Sequence, residues 1–396
     1  MRQMVRKNPA ECTGCGACVS ICPKQAIVMQ PDTEGFLYPK VDGEKCISCD
    51  LCEKRCPAGR EMPEHHARLL GAQVKDEALR RQSSSGGVFT LLAREVIRRG
   101  GVVFGAAFGE NMRVEHVGAF DETELSGMRG SKYVQSDATD AIGNAVSLLK
   151  REIPVLFSGT PCQINGLLAA LGNTKSDKLL TVDFVCHGVP SPGVFASYLV
   201  ELEKKHGSRV SAYTFRDKRL GWKNFSAVAT FENGEEHAGT QTTEPYLYGF
   251  LQNLYLRPSC HSCSQLRGER HAADITLADL WGAEKICPER DDDTGLSFVM
   301  ANTQKGRQAL EQSGMQLNAF SIRNFEGMTR ANPSLLVPVK PHEKRAAFFK
   351  RYQKHGFESE RVMKLLRGPN ATQRVMKRVL HLPIGAMRRI KNRISK

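Results

Sequence analysis

Four cysteines at positions 12, 15, 18 and 22 recur at 46, 49, 52 and 56, each displaced by 34 residues, and Pro23 and Pro57 follow the fourth member of each set. The offset is also that of a helical solenoid, but two copies without the solenoid's apolar signature point to a duplicated thiol-bearing unit. The chain has 13 cysteines in 396 residues. Its N-terminus, MRQMVRKNPAEC, lacks an apolar segment behind its charges, and no apolar run is long enough to span a bilayer. Without a secretory signal, thiols in this number point to metal ligation or redox chemistry rather than disulfides, and a cytoplasmic location is expected.

C-x2-C-x2-C-x3-C-P written twice is the pattern of a two-cluster, bacterial-type ferredoxin, in which each cluster takes three thiolates from one run and the fourth from the other. One [4Fe–4S] cluster is expected on Cys12, Cys15, Cys18 and Cys56, the other on Cys46, Cys49, Cys52 and Cys22. Tight Cys-x2-Cys turns wrap a cubane, Gly14 and Gly16 relieve backbone crowding, and the proline ends the loop. Zinc sites generally pair two separated Cys-x2-Cys units instead. Between the runs, AIVMQPDTEGFLYPKV predicts two short strands and a turn.

Residues 61 to 82 read as a linker with few apolar anchors. SSSGGVFTLLAREVIRRGGVVFGAAF then reads as a loop, an amphipathic helix and a buried strand. The β/α rhythm continues through VEHVGAF, a helix near 138–150, IPVLFS, a helix over QINGLLAAL, and KLLTVDFV, which predicts parallel strands with crossover helices. VSAYTFRD and FSAVATFENGEE predict antiparallel strands with an Asn-Gly turn. ADITLADLWG and LSFVMAN predict further strands, and 304–314 a helix.

Cys162 and Cys186 each follow one of two consecutive strands in that rhythm, so both are expected at the carboxyl rim of a doubly wound sheet, where sites form. A turn from Cys260 to Cys263 would complete four thiolates from three loops. Spacing alone leaves open a third iron–sulfur cluster, a four-thiolate zinc site and unrelated buried thiols.

QSSSGGVF, GSKYVQSD, SGTPCQI, VCHGVPSP and CHSCSQLRGERHAADITLADLWG together resemble, in order over about residues 83–300, the family of the beta subunits of coenzyme F420 hydrogenases and dehydrogenases. That family includes plant 7-hydroxymethyl chlorophyll a reductase and many bacterial proteins. The resemblance implies a bound FAD and a third [4Fe–4S] cluster on Cys162, Cys186, Cys260 and Cys263, leaving Cys287 unassigned and inert. It implies flavin contacts from Ser84, Ser85, Gly86, Gly87, Ser131 and Lys132, the Ser-Gly loop offering N–H groups at a helix start, where an ordinary serine cap is the alternative. His187 and Lys132 are the catalytic candidates. His187, beside Cys186, would pass a proton to substrate, the alternative being a histidine bonded to its own loop. Lys132 would sit against a flavin carbonyl or phosphate, the alternative being a solvated surface lysine. Asp274, Asp279 and Trp281 are expected to shape the fold.

The expected fold class is therefore α+β joined to α/β. A two-cluster ferredoxin-like domain (1–60) and the linker (61–82) precede an α/β flavin-binding domain with a mixed sheet (83–340) and a basic helical tail (341–396). Residues 340–396 hold 17 Lys or Arg against three Glu, whereas the preceding 339 residues hold 39 of each sign. The balanced body argues against nucleic-acid binding, and the tail suits a peripheral contact with an anionic inner-membrane face or an acidic partner. No constellation for hydrolysis and no G-x-G-x-x-G after a strand is present, so a nicotinamide site is unsupported.

The expected function is an oxidoreductase that relays electrons from ferredoxin or F420H2, through its clusters and FAD, to a small organic substrate, F420 itself staying a candidate cofactor. Bacterial relatives suggest surface-polysaccharide chemistry. The alternatives are an F420H2-oxidising subunit, a non-catalytic electron-transfer subunit and a zinc-stabilised binding module.

Overall fold

The computed structural model describes residues 9–58, 62–172, 176–265, 268, 270–323 and 325–367. The duplication is visible in its backbone. Helices Ala17–Ser20 and Leu51–Lys54 start 34 residues apart. Gly14 and Gly16 have φ of +68° and +81°, and their counterparts Ser48 and Asp50 have +54° and +57°. The second copy therefore holds side chains in the left-handed region, at roughly 1–2 kcal/mol per residue. Between the copies, β1 (Ile27–Pro31) and β2 (Leu37–Val41) pair antiparallel with Ile27 opposite Val41.

Eleven more strands follow: β3 (Arg68–Val74), β4 (Val102–Phe108), β5 (Val114–Ala119), β6 (Val155–Ser158), β7 (Leu179–Phe184), β8 (Val210–Asp217), β9 (Ser226–Phe231), β10 (Glu236–Thr240), β11 (Ile275–Asp279), β12 (Ser297–Ala301) and β13 (Leu317–Ser321). Eight of them form one sheet in the order β13-β3-β12-β11-β7-β6-β4-β5, and β8, β9 and β10 form a separate antiparallel sheet. The neighbours β4, β6, β7 and β11 are parallel; β5 on one flank and β12, β3 and β13 on the other pair antiparallel. Because side chains alternate across a sheet, Val103 and Leu156 pack with Leu91 and Leu92 on one face while Phe104 and Phe157 pack with Ile142, Ile164 and Leu167 on the other. Strands covered on both faces explain the near-continuous apolar runs.

Residues 68–74 correct the linker reading, because they form β3, between β12 and β13. The apolar signal there is muted by small residues that the packing requires. A Cβ on Gly71 would lie 2.2 Å from the Phe320 ring, and Ala72 is fully buried. The following loop is fastened to the same strand, Val74 N donating to Gly86 O at 2.8 Å. A Cβ on Gly86 would lie 2.3 Å from the Ala72 carbonyl oxygen and 2.9 Å from Ser297 N, both rigid backbone atoms. Gly86→Ala is therefore expected to lower stability by roughly 1–3 kcal/mol. Gly127→Ala, with nothing within 4 Å of the added carbon, serves as the control, and equal urea midpoints for the two would refute the contact.

A third core, rich in aromatic rings, joins β8 and β9 to Tyr198, Tyr246, Phe250 and Tyr255. The first part of the basic C-terminal region contributes to it through helices Arg345–His355 and Ser359–Arg367, which bury Phe348, Phe349 and Val362, with Phe357 between them. Residues 368–396, which carry the rest of the tail reading, lie outside the described residues. Among the described residues no helix is long and apolar enough to cross a membrane.

Candidate functional site

Three loops at the carboxyl ends of the parallel strands build the centre. After β6, Thr160 starts the helix Pro161–Leu171 through a reciprocal cap with Gln163, which fixes Cys162 in the first turn. Its sulfur lies 3.1 Å from Thr160 Oγ1. After β7 come Cys186 and a turn whose amides point at sulfur: Gly188 N donates to Cys186 Sγ and Val189 N to Cys260 Sγ, each at 3.4 Å. A 3-10 turn, Pro258–Ser262, presents Cys260, and Cys263 follows it.

The four thiols are electrostatic neighbours, since Cys186 is raised by Cys260, Cys162 and Cys263, and Cys260 by Cys162 and Cys263. Burial, with a smaller contribution from the neighbouring thiols, pushes Cys162 up to about 11 and Cys260 up to about 12. Thiols so placed ionise together only when cations offset them, and N–H···S bonds favour the thiolate form. This donor set fits a thiolate-ligated iron–sulfur group. Among the described residues, no three His, Cys, Asp or Glu side chains stand close enough to share a single metal ion.

The eight N-terminal thiols divide into two sets. Burial pushes Cys15 up to about 12, and Cys12 and Cys56 are among its charged neighbours. Cys18 faces Cys15, Cys12 and Cys56, and also Cys52 of the other set. Cys22, Cys46, Cys49 and Cys52 instead line one cavity of about 330 Å³, with Cys46 and Cys49 exposed. Cys162 also acts on Cys15, because the helix that carries Cys162 in its first turn seats Cys15 one turn later. There a Cβ on Gly166 would lie 3.1 Å from the Cys15 sulfur. Cys287 is buried apart from all three sets, in a core with Phe298 and Met300.

A larger cavity of about 820 Å³ adjoins the third thiol set; Cys186 and His187 line it, as do Ser84, Ser85, Gly87, Ser131 and Lys132. The helix Val88–Arg98 opens onto it from Gly87, at φ +84°, with no side-chain oxygen capping its first N–H groups. Thr90 N donates back to Gly87 O at 3.2 Å and no side chain caps the start, so the serine-cap alternative does not hold; a helix start without a side-chain cap suits an anion. Ser131 Oγ donates to Ser84 Oγ at 2.9 Å, and Trp222 Nε1 to Ser84 O at 3.0 Å. Lys132 donates to the Gly127 and Arg129 carbonyls, both at 2.9 Å, and burial lowers its ammonium to about 7. An anion in the cavity would hold it charged. Gly86 does not line the cavity, and its N–H is taken by Ser297 Oγ at 2.9 Å.

His187 packs edge-on against Phe250, and its buried Nε2 has no partner. Burial lowers its pKa, so near neutrality it can present a neutral ring to a ligand.

Two contributions escaped the sequence reading. His116 of β5 lines the cavity with Nε2 2.8 Å from Ser158 O and Nδ1 unpartnered, and burial brings it down to about 4. Its phase with buried Val114 was the available signal. The separate sheet supplies Arg216, paired with Asp279 at 2.7 Å and lying 4.2 Å from the Phe225 ring centroid. Beside it, Trp281 stacks on Trp222 at 4.7 Å. An uncapped helix start, a buried lysine and this volume suit a phosphate-bearing flavin dinucleotide.

Residues 154–321 match the family defined by the C-terminal part of the coenzyme F420 hydrogenase/dehydrogenase beta chain, and residues 11–60 match the "4Fe-4S dicluster domain". The chain is similar to the F subunit of the F(420)H(2) dehydrogenase of Methanosarcina mazei, 25% identical over 188 residues covering 44% of this chain and 53% of that protein. It therefore spans about half the length of this curated relative. Its N-terminal region is similar to the B subunit of the Na(+)-translocating ferredoxin:NAD(+) oxidoreductase complex of Acetobacterium woodii, 48% identical over 46 residues, 12% of this chain and 13% of that one. Among solved structures, a chain of the F420-reducing [NiFe] hydrogenase complex from Methanosarcina barkeri, in its xenon derivative, overlays with a TM-score of 0.47 at 16% identity. That overlay covers 77% of this chain and 92% of the other.

Proposed function

We propose, for a chain that carries the C-terminal domain of the beta chains of coenzyme F420 hydrogenases and dehydrogenases behind a 4Fe-4S dicluster domain, that it is an iron–sulfur flavoprotein oxidoreductase. In this reading it relays electrons from a low-potential donor, ferredoxin or F420H2, to a small organic substrate. The observation that carries the reading is the line of three thiol sets. Exposed Cys46 and Cys49 begin it, Cys15 abuts the helix of Cys162, and Cys186 ends it at the wall of the 820 Å³ cavity.

Bound at these cysteines, [4Fe–4S] clusters would carry single electrons, and FAD in the cavity would convert them to a two-electron step. The chain's own residues do the rest. The start of the helix Val88–Arg98, with Ser84 and Ser85, binds the phosphates, Lys132 neutralises an anion, the rings of Phe225, Trp281 and Phe250 restrict water, and His187 Nε2 holds the proton for substrate. A link to surface-polysaccharide chemistry belongs to the same proposal.

A second reading reverses the flow, with F420H2 oxidised at the cavity and electrons leaving to a protein partner. The exposed end of the relay and the similarity to one chain of an F(420)H(2) dehydrogenase favour it. Anaerobic isolation followed by iron, sulfide and flavin analysis is expected to give about twelve irons and one FAD per chain. Colourless protein containing only zinc would end both readings. If reduced flavin is reoxidised by small molecules alone, the first direction stands; if it needs a protein partner, the second does.

A further inference from the structure

Arg257 is fully buried, yet among the described residues no carboxylate pairs with it. Its Nε donates to Cys12 O at 2.8 Å, one terminal nitrogen to Gln135 Oε1 at 2.8 Å, and the other to Leu37 O at 3.0 Å, the last lying 3.8 Å from Cys12 Sγ. The Tyr38 ring lies beneath it, 4.1 Å from centroid to guanidinium carbon. Neutral acceptors and two aromatic rings, Tyr38 and, at 5.5 Å, Phe36, surround it but do not cancel its charge, and a buried charge without a counter-charge is strongly disfavoured.

Among the groups near Arg257 that can carry negative charge are thiolates of two different sets, whereas Asp32 and Glu34 act on the Tyr38 ring and Glu34 is paired with Arg345. Arg257 touches Cys12 of the first ferredoxin set. It also stands three residues before Cys260, is held by its own N–H to Val189 O at 2.9 Å, and its charge acts on both Cys162 and Cys260. Gly14 is required in the same place, since a Cβ there would meet Arg257 at 2.8 Å and Gln135 at 2.7 Å. Arg257 is thus built into the seam between the first ferredoxin set and the third set.

We infer that Arg257 is the counter-charge shared by the two thiol sets it separates, and that it raises the reduction potential of the clusters they hold. This rests on the reading of those cysteines as cluster ligands. Reduction adds one electron to a cluster, making its charge one unit more negative with no bond made or broken, and a buried cation favours that state. Among the described residues Arg257 makes no hydrogen bond with Cys22, Cys46, Cys49 or Cys52, so its effect on that set is expected to be the smaller one. Arg257 acts here as a positioning and potential-setting residue.

The test is an EPR-monitored redox titration of the anaerobic full-length protein. Electrons come from dithionite, which is oxidised to sulfite. Arg257→Met, at equal iron content, is expected to lower the midpoints of two of the three clusters, and Arg257→Lys to keep them near the wild-type values. At the wild-type midpoint the reduced-to-oxidised ratio should fall about tenfold in Arg257→Met, about 59 mV for a one-electron couple. Gln135→Glu keeps the arginine and its hydrogen bond while adding a negative charge beside it. It is expected to move the same two midpoints downward, and so decides the matter should Arg257→Met fail to fold. Full iron content with unmoved midpoints in Arg257→Met, or in Gln135→Glu, overturns the role of Arg257 and leaves the cluster reading intact. Wild-type protein with no iron beyond two clusters overturns the cluster reading on which it rests.

Discussion

Replacing Cys162 by serine is expected to leave the fold standing while iron falls from about twelve to about eight per chain, and sulfide falls with it. The fold should survive because the cap that starts this helix is made by Thr160 and Gln163, and serine is as compatible with a first helical turn as cysteine. The metal should not survive, because Cys162 is one of four thiols that repel one another when buried together and are reconciled only by cations. Cys287→Ala provides the contrast: that thiol sits in an apolar core, its charged neighbours being Glu289, Asp291 and Arg290 rather than other thiols. It should leave iron unchanged. Metal analysis of the two variants separates the alternatives that spacing left open. Twelve irons retained in Cys162→Ser would mean that the loops converge without ligating a cluster; loss of one zinc with iron steady would assign the site to zinc.

The N-terminal thiol sets were legible because their information is local. Tight turns at fixed spacing, left-handed residues at 14, 16, 48 and 50 and the paired short helices follow from a few adjacent residues each. Cys162 and Cys186 were legible one level higher, since two consecutive parallel strands with a crossover helix place their following loops on the same rim. The readings that failed, or were never made, depend on partners far along the chain. Strand β3 is recognisable only from what covers it, because Gly71 and Ala72 are small so that Phe320 and Gly86 can approach. Gly86 reads as a phosphate-binding glycine in QSSSGG, yet its smallness serves the packing against Ala72 and Ser297. Arg257 carries no motif, and its contacts to Cys12, Leu37 and Gln135 span 122 to 245 residues of sequence. The cavity wall formed by Arg216, Phe225 and Trp281 comes from two different sheets and the loops after them.

A buried carboxylate that makes no ion pair among the described residues gives the second large effect. Glu244 is 1% exposed, begins the helix Pro245–Leu251 by accepting from Leu247 N at 2.6 Å, and also accepts from the Tyr198 and Tyr213 hydroxyls. Burial pushes its pKa up to about 7, the hydrogen bonds opposing this only in part. The sign follows from proton counts. Below the ordinary pKa of 4.5 both folded and unfolded chains hold the proton, and between there and about 7 the unfolded chain has lost it while the folded chain keeps it. Stability therefore falls as pH rises through that window and levels off above it. For a fully buried group this amounts to roughly 3 kcal/mol. Glu244→Gln keeps an acceptor for Leu247 N and can donate to the tyrosines without carrying charge. Urea transitions at pH 5 and pH 8 should show wild type losing roughly 3 kcal/mol more than the variant across that interval, the other titrating groups being common to both. Parallel profiles would mean that Glu244 is ionised in the folded protein, stabilised by a charge not yet identified. The consequence reaches the cavity, because the Tyr246 hydroxyl of this core donates to Tyr133 O at 2.8 Å, and Tyr133, stacked on Phe250 at 4.6 Å, lines the cavity wall. Loosening at Glu244 above pH 7 should accordingly weaken retention of any flavin held there, and Glu244→Gln should restore it.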